Sequence, residues 1–372
     1  VLKGSALVAE ATRQRIQSIM VELDYLPSQV RRLRGARRTA TIGDVAARAG
    51  VGEATVSRVL NGSERVRQRT RERVQEVIDE LHYRPSLMAR GLSRGRTTTL
   101  GVIAPFFFRA SAVERLRGVV AEFTAAGYDT VLYNVSTPEQ VREQFENVVG
   151  GRAEGILVIS VPPPRHAMER LMGSGTPLVL VDVRFAGVSH VYIDNVEGGR
   201  LATRHLLDLG HRRIGFIGDF SENPFGFTSS ADRCAGFRDM MGQAGLDVPP
   251  GYIREAPHSR DAAALCASDL LALPVPPTAI FAGSDTQALG VLEAAARAGV
   301  DVPGQLSVIG FDDIEVAAYA RLTTIRQPLE YSGARGAELL LRQNDAWRPQ
   351  HPLVEEMPVE LVVRGTTAAP PR

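Results

Sequence analysis

The chain has 372 residues, 44% of them hydrophobic, enough for roughly two to three ordinary domains with a sizeable core. Its net charge is only +1, but residues 1–97 carry 19 Lys+Arg against 10 Asp+Glu, net +9, and the remainder is net −8, so the front end is built to meet a polyanion. Two cysteines, Cys234 and Cys266, exclude a disulfide framework and a cysteine metal site, and no apolar run approaches membrane-spanning length.

Residues 1–32 repeat residues 59–90 at a constant offset of 58, with 15 identities in 32 positions and no gap. Thr12-Arg-Gln-Arg-Ile-Gln matches Thr70-Arg-Glu-Arg-Val-Gln, and Glu22-Leu-Asp-Tyr-Leu-Pro-Ser matches Glu80-Leu-His-Tyr-Arg-Pro-Ser. Residues 1–38 therefore read as the tail of a second module, an arm or a disordered segment. A helix of that length without partners is marginal in water. The opening Val1-Leu-Lys-Gly-Ser does not read as a signal peptide.

The stretch from Thr41 to Asn61 reads as two short helices around Gly50. Thr41 is placed to cap the first, with Val45, Ala46 and Ala49 inward. The second carries Val56, Val59 and Leu60 inward and shows Glu53, Ala54, Thr55, Ser57 and Arg58 outward. That layout predicts a helix-turn-helix whose second helix enters a DNA major groove. A third helix over 68–81 places Val74, Val77, Ile78 and Leu81 against the pair.

Thr41-Ile-Gly-Asp-Val-Ala, Ala49-Gly-Val, Thr55-Val-Ser-Arg-Val-Leu-Asn, Thr70-Arg-Glu-Arg-Val, Leu81-His-Tyr-Arg-Pro and Ala89-Arg-Gly-Leu follow in fixed order. With this spacing, the stretch resembles the DNA-binding headpiece of the lac repressor family of bacterial transcription regulators. The resemblance implies DNA contacts from Thr41, Glu53, Ala54, Thr55, Ser57, Arg58, Asn61, Arg65 and Tyr83. Thr55 and Ser57 can donate to phosphates. Glu53 can accept from cytosine N4, or can serve only as a charge favoured by the helix dipole; Ala54 can touch a thymine methyl. Gly52 stands where the family carries serine, which puts one phosphate contact in doubt. Residues 85–98 then match a hinge helix and linker. Ser86 would cap the hinge, Ala89 would lie on DNA, and Leu92 would be a wedge between base steps. The headpiece proper is expected over 39–84.

From Thr99 the pattern changes. Apolar runs at 100–104, 130–133, 155–159, 178–181, 190–193, 214–217, 278–281 and 306–310 alternate with helices such as 111–126, 138–150, 196–209, 230–244 and 285–299. The expected class is α/β: a two-lobed body of doubly wound parallel sheets over 99–372, with an all-α headpiece in front. Asp194-Asn-Val-Glu-Gly-Gly-Arg, Arg233-Cys-Ala-Gly-Phe, Gly283-Ser-Asp-Thr-Gln-Ala-Leu-Gly and Gly310-Phe-Asp-Asp extend the resemblance to the family's periplasmic-binding-protein-like effector domain. It implies an effector site from Asp182, Arg233 and Asp285, with Phe107, Phe108, Arg109 and His258 as further candidates. Carboxylates accept from hydroxyls and arginine donates a rigid pair, which suits a polyhydroxylated or heterocyclic ligand. Phe106-Phe-Phe108 either stack on a ring or fill the interlobe core.

No cofactor, metal or membrane is called for. The seven histidines lack ligand spacing, and no phosphate loop or catalytic triad is found. The reading is a cytoplasmic, nucleoid-associated repressor that is not an enzyme. It would bind a pseudo-palindromic double-stranded operator as a homodimer, with affinity set by a sugar-like or other small metabolite. The alternative, a solute-binding protein without a DNA role, calls for an export signal and no basic headpiece.

Overall fold

The computed structural model describes residues 40–60, 63, 65–83, 98–105, 109–149, 153–222, 224–344 and 351–371. It divides into two compact units, 1–95 and 96–372. The arm over 1–38, Asn61, the hinge residues Ser86, Ala89 and Leu92, and Phe107 and Phe108 lie outside the described residues.

In the first unit, α1 (Ile42–Ala49), α2 (Glu53–Leu60) and α3 (Gln68–Glu80) form a three-helix cluster. Thr41 closes a capping box with Asp44: the Thr41 hydroxyl accepts from the Asp44 amide at 3.2 Å, and the Asp44 carboxylate accepts from the Thr41 amide at 2.8 Å. Gly50 ends α1 at φ 63°, where a side chain would be strained. Val45, Ala46, Ala49, Val56, Val59, Val74, Val77, Ile78 and Tyr83 make one buried cluster, with Leu60, Val66 and Leu81 packed on it. Arg71 ties α3 back to the preceding loop by donating to the Ser63 carbonyl at 2.8 Å, and the exposed Arg48 pairs with Glu80.

The second unit contains two six-stranded sheets. The elements in order are β1 (Thr99–Ala104), α4 (Ala110–Ala125), β2 (Asp129–Asn134), α5 (Pro138–Val149), β3 (Gly155–Ile159), α6 (Arg165–Ser174), β4 (Leu178–Val181) and β5 (Ser189–Ile193). They continue with α7 (Asn195–Asp208), β6 (Ile214–Asp219), α8 (Ser229–Gln243), β7 (Ile253–Ala256), α9 (Arg260–Leu271), β8 (Ala279–Ala282) and α10 (Asp285–Arg297). Last come β9 (Ser307–Asp312), α11 (Glu315–Tyr319), β10 (Thr323–Arg326), α12 (Leu329–Asn344), β11 (Val354–Met357) and β12 (Glu360–Val362).

One sheet is ordered β2-β1-β3-β4-β5-β11 and is wholly parallel. The other is β7-β6-β8-β9-β10-β12, parallel except for β12. Strands buried on both faces read as continuous apolar runs, which is why β1, β3 and β4 were visible in the sequence. The chain changes lobe after β5, between β10 and α12, and between β11 and β12. In each sheet the strand order reverses, around β1 and β6, so the carboxyl ends of the strands open a crevice there.

α7 and α8 cross at Gly199 and Gly236, where a Cβ would collide with the main-chain carbonyls of Arg233 and Val196. This close crossing sets where α8 presents Arg233. No described helix is long and apolar enough to cross a membrane.

Candidate functional site: a charged cleft between two sheets, and a reading helix

The carboxyl ends of both sheets face a cleft of about 230 Å³. Arg109, just before α4, Ser160 after β3, Asp182 after β4 and Asn195 opening α7 come from one side and its crossover. Asp219 ending β6, Arg233 on α8, His258 after β7 and Asp312 ending β9 come from the other. The sheet ends are strained where they meet the cleft. Ser160, Asp182 and Asp312 have φ of 59°, 62° and 115°, values that non-glycine residues rarely adopt.

Three ion pairs dominate. Arg109 bridges the lobes to Asp219 at 2.7 Å, and its guanidinium lies 4.7 Å from the centre of the Phe227 ring. Burial pulls the Asp219 carboxyl up, but the hydrogen bond with His258 and the charges of Arg109 and His258 outweigh it and hold the pKa at about 2. Nδ1 of His258 lies 2.8 Å from Arg109 Nη1 and 3.0 Å from Asp219 Oδ1. One ring nitrogen cannot accept from the arginine and donate to the carboxylate at once, so the tautomer selects which contact is made.

Arg233 is buried, 3.7 Å over the Phe311 ring. Its Nε donates to Asn195 Oδ1 at 2.8 Å, and its Nη1 donates to the Gly283 carbonyl at 2.6 Å and lies 3.5 Å from Asp312. Desolvation lowers its pKa from the usual arginine value against the pull of Asp312. Burial also pushes the Asp312 carboxyl up, while Arg233 and Arg115 draw it back.

The third pair joins Arg115, only 1% exposed, to Asp182 at 3.2 Å. Arg115 also donates to Gln327 Oε1 at 2.6 Å, and Gln327 donates on to Asp312 at 2.5 Å. Gln327 lies in the crossover between β10 and α12, so a continuous polar chain runs from Asp182 through Arg115 and Gln327 to Asp312 and Arg233.

The structure thus places Arg109, Asp182, Arg233 and His258 together at the cleft. Asp285 is 0% exposed and is not among the residues lining the cleft; it accepts from the Ile314 amide at 2.9 Å and the Thr324 hydroxyl at 2.5 Å. It clasps the turn after β9 to β10, and burial followed by the charge of Asp312 pushes its carboxyl well above the usual range. Opening a helix after a strand puts a residue at the right end of the sheet but leaves its direction open. Asp312, Asn195, Asp219 and Gln287 went unnamed in the sequence reading, although Asp312 stands inside the quoted Gly310-Phe-Asp-Asp. The available signal was its position as the last strand residue.

On the headpiece, α2 exposes Glu53, Ala54 and Arg58, and Thr55 and Ser57 in part, opposite the buried Val56 and Val59. Arg65 is exposed in the loop before α3. Thr41 is exposed, with its hydroxyl in the capping box. Tyr83 is 8% exposed and packs in the headpiece core, where the residues after α3 fold back over Ile78. Among the described residues no group of three His, Cys, Asp or Glu side chains is placed to hold a metal ion.

A helix-turn-helix with an outward polar helix, followed by a two-sheet body with a charged interlobe cleft, defines a ligand-responsive DNA-binding regulator. Residues 41–86 match the family described as bacterial regulatory proteins, lacI family, and residues 203–367 match the periplasmic binding protein-like domain. The chain is 35% identical to catabolite control protein A of Priestia megaterium, over 81% of this chain and 92% of that protein. It is 34% identical to the HTH-type transcriptional repressor PurR of Vibrio campbellii, over 88% and 98%. It is 35% identical to the ribose operon repressor of Escherichia coli strain K12, over 82% and 93%. Among solved structures, the lac repressor dimer bound to operator and the anti-inducer ONPF superposes with a TM-score of 0.76 at 26% identity, covering 89% of this chain and all of that one. A complex of the regulator CelR with cellobiose gives 0.65 at 29%, covering 88% and 99%. The chain belongs to the lacI family of bacterial transcription regulators.

Proposed function

We propose that the protein is a homodimeric repressor whose effector is an uncharged, polyhydroxylated small molecule bound in the interlobe cleft. The observation that carries this reading is the charge balance of the cleft. Arg109 and Arg233, which line it, are paired with Asp219 and Asp312, and the buried Arg115 behind it is paired with Asp182. A charged ligand that engaged Arg109 or Arg233 would compete with Asp219 or Asp312 in a site of low dielectric, whereas hydroxyls can accept from these arginines and donate to these carboxylates in place; Arg184 and Asp232 line the cleft outside these pairs. Phe227 and Tyr192 line the same cleft, each with an arginine over its ring, Arg109 and Arg184 respectively. A lacI-family regulator from Enterococcus faecium was solved with bound ribose, and CelR with cellobiose.

The homodimer is supported by apolar surface on adjoining elements: Val113 and Val120 on α4, and Val131 and Leu132 on β2, are 36–49% exposed. For DNA, Glu53 and Ala54 are assigned to base edges, and Thr55, Ser57 and Arg58 to phosphates or guanine. The effector acts by favouring one interlobe geometry, and hence one DNA affinity, over another.

The test is a melting-temperature screen across neutral pentoses, hexoses and disaccharides, phosphorylated sugars, and purine bases, followed by calorimetry on each hit. A neutral sugar raising the melting temperature is the expected result. Stabilisation by phosphorylated sugars or purines alone would overturn the assignment.

A further inference from the structure

Three buried side-chain atoms among the described residues lack a hydrogen-bond partner: Arg115 Nε, Arg115 Nη1 and Asp182 Oδ1. All three belong to one contact, where Arg115 meets Asp182 behind the cleft wall. The guanidinium spends a single nitrogen. Its Nη2 donates to Gln327 Oε1 at 2.6 Å and lies 3.2 Å from Asp182 Oδ1 without the alignment of a hydrogen bond. The other carboxylate oxygen, Oδ2, accepts from the Ser160 hydroxyl at 2.8 Å. Buried donors and acceptors left unmet are costly, and native proteins keep few of them.

Arg115 is not free to seek partners elsewhere. α4 and α12 pack backbone to backbone: a Cβ at Gly333 would collide with the Arg115 carbonyl, and one at Gly118 with that of Glu330. The Nη2 bond ties the head group to the crossover through Gln327. The facing wall is the strained one, since Ser160 and Asp182 hold φ of 59° and 62°. Backbone strain of this kind clusters at ligand clamps. Asp182 is therefore the side that yields, and a small shift of its carboxylate opens a place between two N–H donors and one acceptor oxygen.

We propose that this place is a hydroxyl-reading subsite of the effector cleft, with Arg115 as its specificity-determining residue. One hydroxyl satisfies the set: its oxygen accepts from Nη1 or Nε of Arg115, and its hydrogen is donated to Asp182 Oδ1. An anionic group here would face the Asp182 carboxylate, and a cationic one the Arg115 guanidinium, in a site of low dielectric. A ligand without a hydroxyl at this point leaves the polar groups unpaired and is rejected. The subsite rests on the reading of the cleft as the effector site. It adds which group the cleft inspects, one layer behind the residues that line it.

The test is calorimetry with D-ribose, D-glucose and D-galactose, their phosphate esters, and the monodeoxy analogues of each. For the wild type the expected result is one ring position at which removing the hydroxyl weakens binding about a hundredfold. In Arg115→Met, which keeps the stem and loses the donors, the parent sugar should lose about that factor and its deoxy analogue should bind within about threefold of it. Arg115→Lys has one nitrogen, committed to Gln327 and Asp182. It should show the same collapse of the ratio and keeps the buried charge paired should the methionine variant not fold. If every hydroxyl preference of the wild type persists in both variants, a resident water serves Arg115 and the subsite is overturned, while the effector reading stands. Binding of a phosphate ester alone overturns the uncharged-effector reading, and its deoxy analogues then decide the subsite by the same ratio. Binding of none of these sugars overturns both.

Discussion

At the scale of single residues, two buried aspartates on adjoining elements carry opposite duties. Asp285 satisfies the Ile314 amide and the Thr324 hydroxyl, so Asp285→Ala leaves two buried donors without an acceptor. The expected cost is about 2–4 kcal/mol in urea unfolding, with ligand affinity of the folded protein unchanged in calorimetry; Asp285→Asn should stay within about 1 kcal/mol. A loss of ligand affinity in Asp285→Ala without a loss of stability would restore it to the site. Asp219 is held at about 2 against an ordinary 3.8. A carboxyl with a depressed folded pKa stabilises the protein above its unfolded pKa and loses that contribution as pH falls through the folded one. The Asp219 contribution, about 2 kcal/mol, should therefore be complete above roughly pH 4 and fade toward pH 2. Urea melts of wild type and Asp219→Asn should converge across that window; a gap that stays constant would mean the pair with Arg109 is not stabilising. The signs of these two groups could not be read from sequence. Both are acidic residues at a strand or helix end, and only partner geometry separates a backbone clasp from an interlobe bridge.

At the scale of elements, the close crossing of α7 and α8 is what brings Arg233 into the cleft. Gly236→Ala drives a Cβ into the Val196 carbonyl, so the helices must part. The expected effect is a loss of about 3 kcal/mol together with weaker ligand binding, since Arg233 moves with α8. The same variant with wild-type affinity would uncouple the crossing from the site. On the headpiece, Arg58→Ala should weaken DNA binding and make log K fall less steeply with log salt, as expected for a lost groove or phosphate contact; an unchanged affinity and slope would take Arg58 off the DNA. Most of these elements were legible beforehand. Long amphipathic helices and doubly buried strands carry strong periodic signals, and all eight apolar runs proved to be strands. The strands that escaped were β7, β10, β11 and β12, short and mixed in polarity; Val354-Glu-Glu-Met has alternately exposed and half-buried positions up to its last residue. Such strands owe their existence to the neighbour they pair with, which a local pattern does not contain.

At the scale of the whole molecule, DNA binding should be dimeric and strongly salt-dependent. A pseudo-palindrome with half-sites one helical turn apart should bind far more tightly than random duplex in fluorescence anisotropy, with the difference depending on protein concentration as a dimer requires. Equal, salt-insensitive affinity for every duplex would contradict the placement of Glu53 to Arg58 on DNA. The triple change of lobe has its own consequence during synthesis. β5 takes its outer neighbour from β11, which the ribosome delivers more than 150 residues later. At 5–20 residues per second that is roughly ten to thirty seconds with an unpaired sheet edge exposed. α12, which covers β3, β4 and β5, arrives only shortly before β11. The first lobe to be translated is therefore the last to be finished. The nascent chain passes through a stage in which the second sheet has nearly all its strands while the first is still an open template for any extended peptide. A cell that makes this regulator in quantity has to shield that edge, and crowding of polysomes, rather than the stability of the finished protein, should limit its soluble yield.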